Sequence, residues 1–432
     1  MSSMISINIS PLTLRDPSRQ TVESEPLIDD AGRKPPPDAR RLRGTNSGAD
    51  LPVDGVAPEG AQPAIVPLTP EQQSIIQQLF TEAFAEGFSK LRAFNPTYER
   101  PTSGSAASVV VNATVKLAFF AKVDSNPNLV AEAANLRAIQ DRADLPYGFK
   151  ACFPRVFAVR ADGPTYGYLM EAFTDHVSLD SVIFSDGADT WNVQKFARQA
   201  LDLLFSAYDR SRVAFITPNL TSLYIDRTSE RLRAAAREDQ TFASLLDRTI
   251  RVNGSEYEQA TYYLDLIADH VATWTPAFAT FVHGDPHNEK DFPVDVKFID
   301  PKEWHVGDYL WDIGKILHYL AVTGPIEHSS PRVAARIGVG PDTLDYELPH
   351  SHLAETLIAM TRDVVATKAV RPDFDDKHWQ KRLDLSIAAN LLSVPLVRFA
   401  KARKLKDTRH RDTAFMLYGE GLKALASLVD SL

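Results

Sequence analysis

Apolar positions along the 432-residue chain follow three successive patterns. Over residues 1–66 they are scattered and keep no period. Eight prolines fall within residues 1–60, among them Pro35-Pro36-Pro37, and the first aromatic residue is Phe80, although the chain holds 5 Trp, 13 Tyr and 22 Phe. A segment of this kind cannot bury enough apolar surface to offset the entropy of ordering it, so residues 1–66 read as a disordered tail. It shows no apolar core behind a basic start, which speaks against a secretory signal, and it offers a segment on which a protein partner can dock.

A helical period sets in at Thr69-Pro70-Glu71-Gln72, a capping box with proline at the first helical position. Ile75, Ile76, Leu79, Phe80, Ala83 and Phe84 continue the stripe, and Gly87 suggests its end. Shorter apolar runs follow. Ser108–Val111, Lys116–Val123, Phe153–Arg160 and Tyr166–Glu171 predict strands, and Pro127-Asn128 opens a predicted helix that reaches about Asp141. From about Val177 the helical period dominates. It predicts helices at Val193–Tyr208, Ser222–Arg237, Tyr257–Trp274, His352–Lys368, His378–Phe399 and Asp412–Leu432. One irregular, polar-rich stretch, Phe281–Asp312, interrupts them. The patterns together predict an α+β chain in three parts: a tail at 1–66, a helix with a small β-rich lobe at 67–175, and a large helical lobe at 176–432.

Composition narrows the function classes. The chain carries 47 Lys+Arg against 56 Asp+Glu, a net charge of -9, which argues against generic wrapping of nucleic acid. The basic stretch Arg398–Arg411 reads as a solvated charged face. No uninterrupted apolar run approaches the ~20 residues that cross a bilayer, so no membrane span is expected. Cys152 is the single cysteine, which rules out an intramolecular disulfide and a Cys-rich zinc site. A cytoplasmic protein is the default reading.

The chemistry concentrates in the irregular stretch. Asp285 and Asp300 each end an apolar run and are separated by a hairpin-sized excursion containing a short predicted strand, Val294–Ile299. Brought to one cleft, one carboxylate can orient a hydroxyl and accept its proton, while the other holds Mg²⁺ against phosphate oxygens. A cation is then needed on the nucleotide side. Lys122 fits, because it sits in the apolar run Leu117–Val123, where a buried ammonium demands a partner. Glu132, on the predicted helix that follows, is the candidate partner. Gly104 and Ser105 are small enough to admit backbone close to phosphates. Tyr168-Leu169-Met170-Glu171 reads as the connection between lobes, where the backbone at Met170 and Glu171 can meet a purine ring. His283 is expected to hold the loop by hydrogen bonds, and His287 to support it or touch substrate.

In their order along the chain these residues resemble the aminoglycoside phosphotransferase/choline kinase branch of the protein-kinase-like superfamily, over roughly residues 90 to 420. His283-Gly284-Asp285-Pro286-His287 is similar to its catalytic-loop signature, which makes Asp285 the implied base, with His283 and His287 beside it. Ile299-Asp300-Pro301-Lys302 is similar to the metal-binding segment, here without the Phe-Gly of protein kinases. Gly307-Asp308 and Asp312 match the pattern downstream, and the resemblance implies that Asp312 fixes the catalytic loop rather than touching substrate. Lys122 and Glu132 match the phosphate-binding lysine and its helix partner. The resemblance implies a bilobal protein-kinase-like fold, Mg²⁺ as cofactor, ATP or GTP as cosubstrate, and a small-molecule acceptor with a hydroxyl group.

One position departs from that pattern. Five residues after Asp285, where the family places a metal-binding Asn, stands Lys290. Asn288 lies two residues early and Asp291 one residue late, and either can supply an oxygen. Lys290 as an ammonium has no acceptor for a metal, but it can contact phosphate. Two other readings therefore stay open. One is a pseudokinase or interaction module with an altered metal site. The other is a metal-dependent hydrolase using His283, Asp285, His287 and Asp300, with His305 and Asp308 downstream.

Overall fold

The computed structural model describes residues 69–83, 107–111, 119–173, 179–184, 189–214, 216–286, 290–291, 296–302, 306–328, 337–372 and 374–432. The expected tail at 1–66, Gly104, Ser105, His287, Asn288 and His305 lie outside them. Lys290 and Asp291 are described in backbone only.

The capping box forms as the sequence predicts. Gln72 N–H donates to Thr69 Oγ1 at 3.2 Å, Thr69 N–H donates to Gln72 Oε1 at 3.0 Å, and helix α1 begins at the proline (Pro70–Ala83). Its buried stripe, Ile75, Ile76, Leu79 and Phe80, packs on a four-stranded antiparallel sheet. The strands are β1 (Ala107–Val111), β2 (Phe119–Asp124), β3 (Val156–Arg160) and β4 (Tyr166–Glu171), in the order β1-β2-β4-β3. Helix α2 (Asn128–Asp141) buries Leu129, Ala133, Leu136 and Ile139 in the same core.

That order corrects one expectation. Tyr168–Glu171 is not a connection between lobes: it belongs to β4, an inner strand, and Met170 and Glu171 pair with Phe120 and Phe119 of β2. The Glu171 N–H is also spent on Arg155 O at 2.9 Å. The chain leaves the small lobe only from Ala172 onward. The alternation of apolar residues located the strand, but nothing local announces that it is paired on both sides.

The second lobe is mainly helical. Helix α3 (Thr190–Ser211) starts where Asp189 accepts from Trp191 and Asn192 N–H. A turn of π-helix, Thr221–Asp226, leads into α4 (Arg227–Glu238). A two-stranded hairpin pairs β5 (Lys290–Asp291) with β6 (Val296–Lys297), and α5 (Leu310–His318) follows. The single helix predicted at His378–Phe399 divides at Val394 into α6 (Trp379–Ser393) and α7 (Pro395–Leu405), because Pro395 has no N–H to continue the ladder. The last helix, α8, runs Thr408–Val429. The lobe also holds a four-stranded sheet built from Ile250–Val252, Ser255–Tyr257, Ile337–Val339 and Thr343–Tyr346. These strands of three or four residues are too short to show a period, and the helix expected from Tyr257 begins at Ala260 instead. The result is an α+β, bilobal, kinase-like layout with a small β-rich lobe and a large helical one.

Among the described residues one helical stretch, Trp379–Leu405, is 27 residues long and apolar enough to cross a membrane by length and composition alone, although charged and polar residues interrupt its apolar run. Of its apolar window, 67 % is buried inside the protein, as for a core helix. In the basic stretch, Arg403 pairs with Glu238 (2.9 Å), Arg409 with Asp407 (2.7 Å), Arg411 with Asp239 (2.6 Å), and Arg398 with Glu327. Its charge is largely answered within the chain.

A candidate active site between the lobes

The core that fills the small lobe continues across the seam. Phe149 meets Phe281 and Phe298, two apolar residues of the irregular stretch, at ring separations of 5.5 Å, and Phe153 meets Phe298 at 5.6 Å. His283 is wholly buried in this wall and stacks on Phe153 at 5.7 Å. Its Nδ1 accepts from the Asp285 N–H at 3.3 Å and its carbonyl accepts from Lys302 N–H at 2.9 Å. The structure therefore places His283 beneath the loop as a pillar, rather than among groups facing the cleft.

Gly284 makes the turn possible. Its φ is +87°, and a Cβ there would lie 2.7 Å from Lys302 Cβ. Only glycine allows the loop bearing Asp285 and the segment bearing Asp300 to lie this close. From below, Asp312 accepts from the N–H groups of both His283 and Gly284 at 2.7 Å and from Tyr208 Oη at 3.0 Å. Burial pushes its carboxyl up to about 7 against the pull of those donors. Trp311, its neighbour on α5, donates from Nε1 to Gly284 O at 3.1 Å. The expectation that Asp312 fixes the loop agrees with this geometry.

Lys122 spans the seam. Its Nζ sits 2.9 Å from Glu132 Oε2 and 3.0 Å from Asp300 Oδ1, over the Tyr168 ring. The lysine is fully buried, which opposes its charge, but Asp300, Tyr168 and Glu132 outweigh that and hold its pKa well above the ordinary value. Glu132 is fixed in turn by Tyr168 Oη at 3.2 Å. The side chain of Asp300 is 33 % exposed, and its backbone has φ +55°, a strained conformation for a residue with a Cβ. Strain of this kind is tolerated where the surroundings over-determine it, here by Lys122 on one side and the Lys302–His283 bond on the other.

Asp285 itself is 25 % exposed. Lys302 Nζ lies 3.4 Å from its Oδ2 and Lys315 Nζ 3.3 Å from its Oδ1. Two arginines on α4, Arg227 and Arg231, also feel its charge. The sequence reading missed Lys315, Arg227 and Arg231. The only available signal was the i, i+4 spacing of two arginines on a predicted helix, which says nothing about residue 285. It also missed Arg382, fully buried and doubly engaged: Nε and Nη2 donate to Asp308 at 3.0 and 3.1 Å, and Nη1 and Nη2 to Asp376 at 2.6 and 2.7 Å. Asp308 also accepts from Tyr224 Oη at 2.9 Å. This network is structural and sits below the loop.

Among the described residues, no three of His, Cys, Asp or Glu converge to hold a metal ion. Asp300 remains a partly exposed carboxylate beside the buried ammonium of Lys122. That fits Mg²⁺, which is commonly held through one or two carboxylates plus substrate phosphates and keeps the rest of its shell as water.

No family model matches the chain, and no curated protein matches it. Solved structures that match include a chain from Ralstonia eutropha JMP134, described as a "putative aminoglycoside phosphotransferase": 13 % identical, covering 80 % of this chain and 98 % of its own, with a TM-score of 0.47. At that similarity nothing about this chain's chemistry follows from it.

Proposed function

We propose that this chain is an ATP- or GTP-dependent phosphotransferase that moves the terminal phosphoryl group to a hydroxyl of a small molecule. The observation that carries the proposal is Lys122: a fully buried ammonium on a strand of one lobe, aimed by Glu132 and joined to Asp300 of the other. In this reading Lys122 holds the upstream phosphates. Asp300 would hold Mg²⁺, with Asn288 or Asp291 supplying the further oxygen and Lys290 reaching phosphate; the ion's chemistry is to neutralise charge on the phosphate oxygens. Gly104 and Ser105 would border the nucleotide. Asp285 orients the acceptor hydroxyl and takes its proton as the oxygen–phosphorus bond forms and the bond to the leaving nucleoside diphosphate breaks. His283 supports that loop, and His287 lies beside it in sequence.

The test is a thermal-shift titration with ATP, GTP and Mg²⁺, followed by transfer assays on small hydroxyl compounds. Nucleotide stabilisation is expected in the wild type and in Asp285→Ala, with transfer abolished in the variant. Full transfer by Asp285→Ala would remove Asp285 from the mechanism. No stabilisation by either nucleotide would favour an interaction module, the reading that Lys290 motivates.

A further inference from the structure

A cavity of about 60 Å³ lies beside the loop that bears Asp285. Apolar side chains form most of its wall: Leu201 and Leu204 of α3, Ile316 of α5, Leu357, and on the loop side Pro286 and Phe298. Two of these tie it to the candidate base. Pro286 follows Asp285 directly, and Ile316 follows Lys315, whose Nζ sits 3.3 Å from Asp285 Oδ1. Consecutive Cα atoms are ~3.8 Å apart, so a group seated against Pro286 is only a few bonds from the Asp285 carboxyl. The polar residues of the wall are Asp180, Tyr319 and Thr361. Asp180 is engaged within the chain: it accepts from Tyr319 Oη at 2.8 Å and lies 3.4 Å from His328 Nε2.

An apolar void in a packed lobe is destabilising, and water does not relieve it, because a buried water needs two or more polar partners where it settles. Filling such a void with carbon is favourable in proportion to the apolar area removed from water. On the scale where a cavity of ~150 Å³ takes a benzene ring, this one takes roughly two or three carbons. An apolar pocket with few polar groups, one residue along the chain from a candidate base, has the form of a subsite for part of a substrate.

We propose that this cavity seats a short aliphatic group of the acceptor, and that the acceptor is an alcohol whose hydroxyl lies within a few carbons of an apolar end, rather than a polyol. With the aliphatic end against Pro286 and Ile316, the hydroxyl is presented to Asp285. This rests on the phosphotransferase reading for the word acceptor; the cavity's affinity for a short aliphatic group stands without it. The bonds made and broken are those of the reaction proposed above.

Trifluoroethanol is the binding probe, titrated into the full chain and followed by fluorine NMR. It is expected to bind the wild type, to be displaced by butanol, and to bind Ala197→Leu and Ala200→Leu about tenfold more weakly or worse, because both alanines line the cavity and leucine fills it. Either variant suffices if the other fails to fold. A second measurement needs no variant: transfer from ATP or GTP with Mg²⁺ to methanol, ethanol, propanol, butanol and hexanol. Here kcat/KM is expected to rise about fourfold per methylene as far as butanol and then to level off, with glycerol a poorer acceptor than propanol. Absence of trifluoroethanol binding, equal binding by the wild type and the leucine variants, a rate indifferent to chain length, preference for glycerol, or no transfer to any alcohol although nucleotide binds would each overturn the proposal. Failure of nucleotide to bind while trifluoroethanol still does would sink the phosphotransferase reading alone.

Discussion

Replacing Gly284 with alanine adds one methyl group where the loop bearing Asp285 crosses the segment bearing Asp300. Two costs can be worked from the structure. At φ +87° an L-residue carries the left-handed penalty, ~1–2 kcal/mol. The new Cβ would lie 2.7 Å from Lys302 Cβ and 3.0 Å from its Cγ, well inside the ~3.5–4.0 Å of an optimal carbon contact. Lys302 Cβ is anchored to the backbone, so the two segments must part. That movement gives up the 2.9 Å bond from Lys302 N–H to His283 O, worth about 1 kcal/mol. The sum is ~2–3 kcal/mol, which at ~2 °C per kcal/mol for a long chain lowers the melting temperature by roughly 4–6 °C. A shift of ~1 Å between the two aspartates should cost on the order of 100-fold in transfer rate. Calorimetric melting and nucleotide-dependent phosphate transfer measure the two effects. Gly148→Ala is the control, since a Cβ there meets nothing within 4 Å. A Gly284→Ala protein that melts and turns over like the wild type, within the spread of Gly148→Ala, would refute both the close crossing and its role.

Three further outcomes are expected. Lys122→Met leaves Glu132 and Asp300 facing one another, both about one-third exposed and so partly solvated; ~2 kcal/mol of stability should go, together with nucleotide-induced stabilisation, and an unchanged thermal shift with ATP would contradict it. Arg382→Met leaves Asp308 and Asp376 buried without their cation, at ~3–5 kcal/mol; denaturant unfolding should show this, with partial recovery on adding Asp376→Asn, and a wild-type midpoint for the single variant would count against the network. The hydrogen bond to Asp180 raises the pKa of His328 against its burial. The native state therefore holds that proton more tightly than the unfolded chain, and the stability gained is complete below pH ~6.5 and lost as pH rises through the raised value. Urea unfolding across that window should fall less steeply with pH in His328→Gln than in the wild type, and identical slopes would refute the pairing.

Much of the small lobe was legible because its signals are local. Thr69 and Gln72 announce a helix start by their own side chains, and Ser108–Val111 and Tyr166–Glu171 carry strand runs long enough to count. The site's acids were also legible, since Asp285 and Asp300 each end an apolar run and Asp312 follows at a telling spacing. What stayed hidden depends on pairing across distance. Arg382 lies 74 residues from Asp308, and only the fold reveals that the two meet. Arg227 and Arg231 look like the polar face of an amphipathic helix until Trp311 is brought against the first of them. The short strands near residues 250 and 340 gain their definition from each other, in parallel register between Arg251 and Thr343, and have no period of their own.

The bridge from Lys122 to Asp300 bears on the sequence in which ligands are admitted. A divalent cation arriving alone finds that carboxylate already paired at 3.0 Å with an ammonium that Glu132 shares, and must compete with it. Phosphate oxygens change the contest, because they offer Lys122 a further anion beside Glu132 and release Asp300. Under the proposed reaction the metal therefore enters as the nucleotide's companion, and metal affinity measured without nucleotide should be poor however well the two bind together.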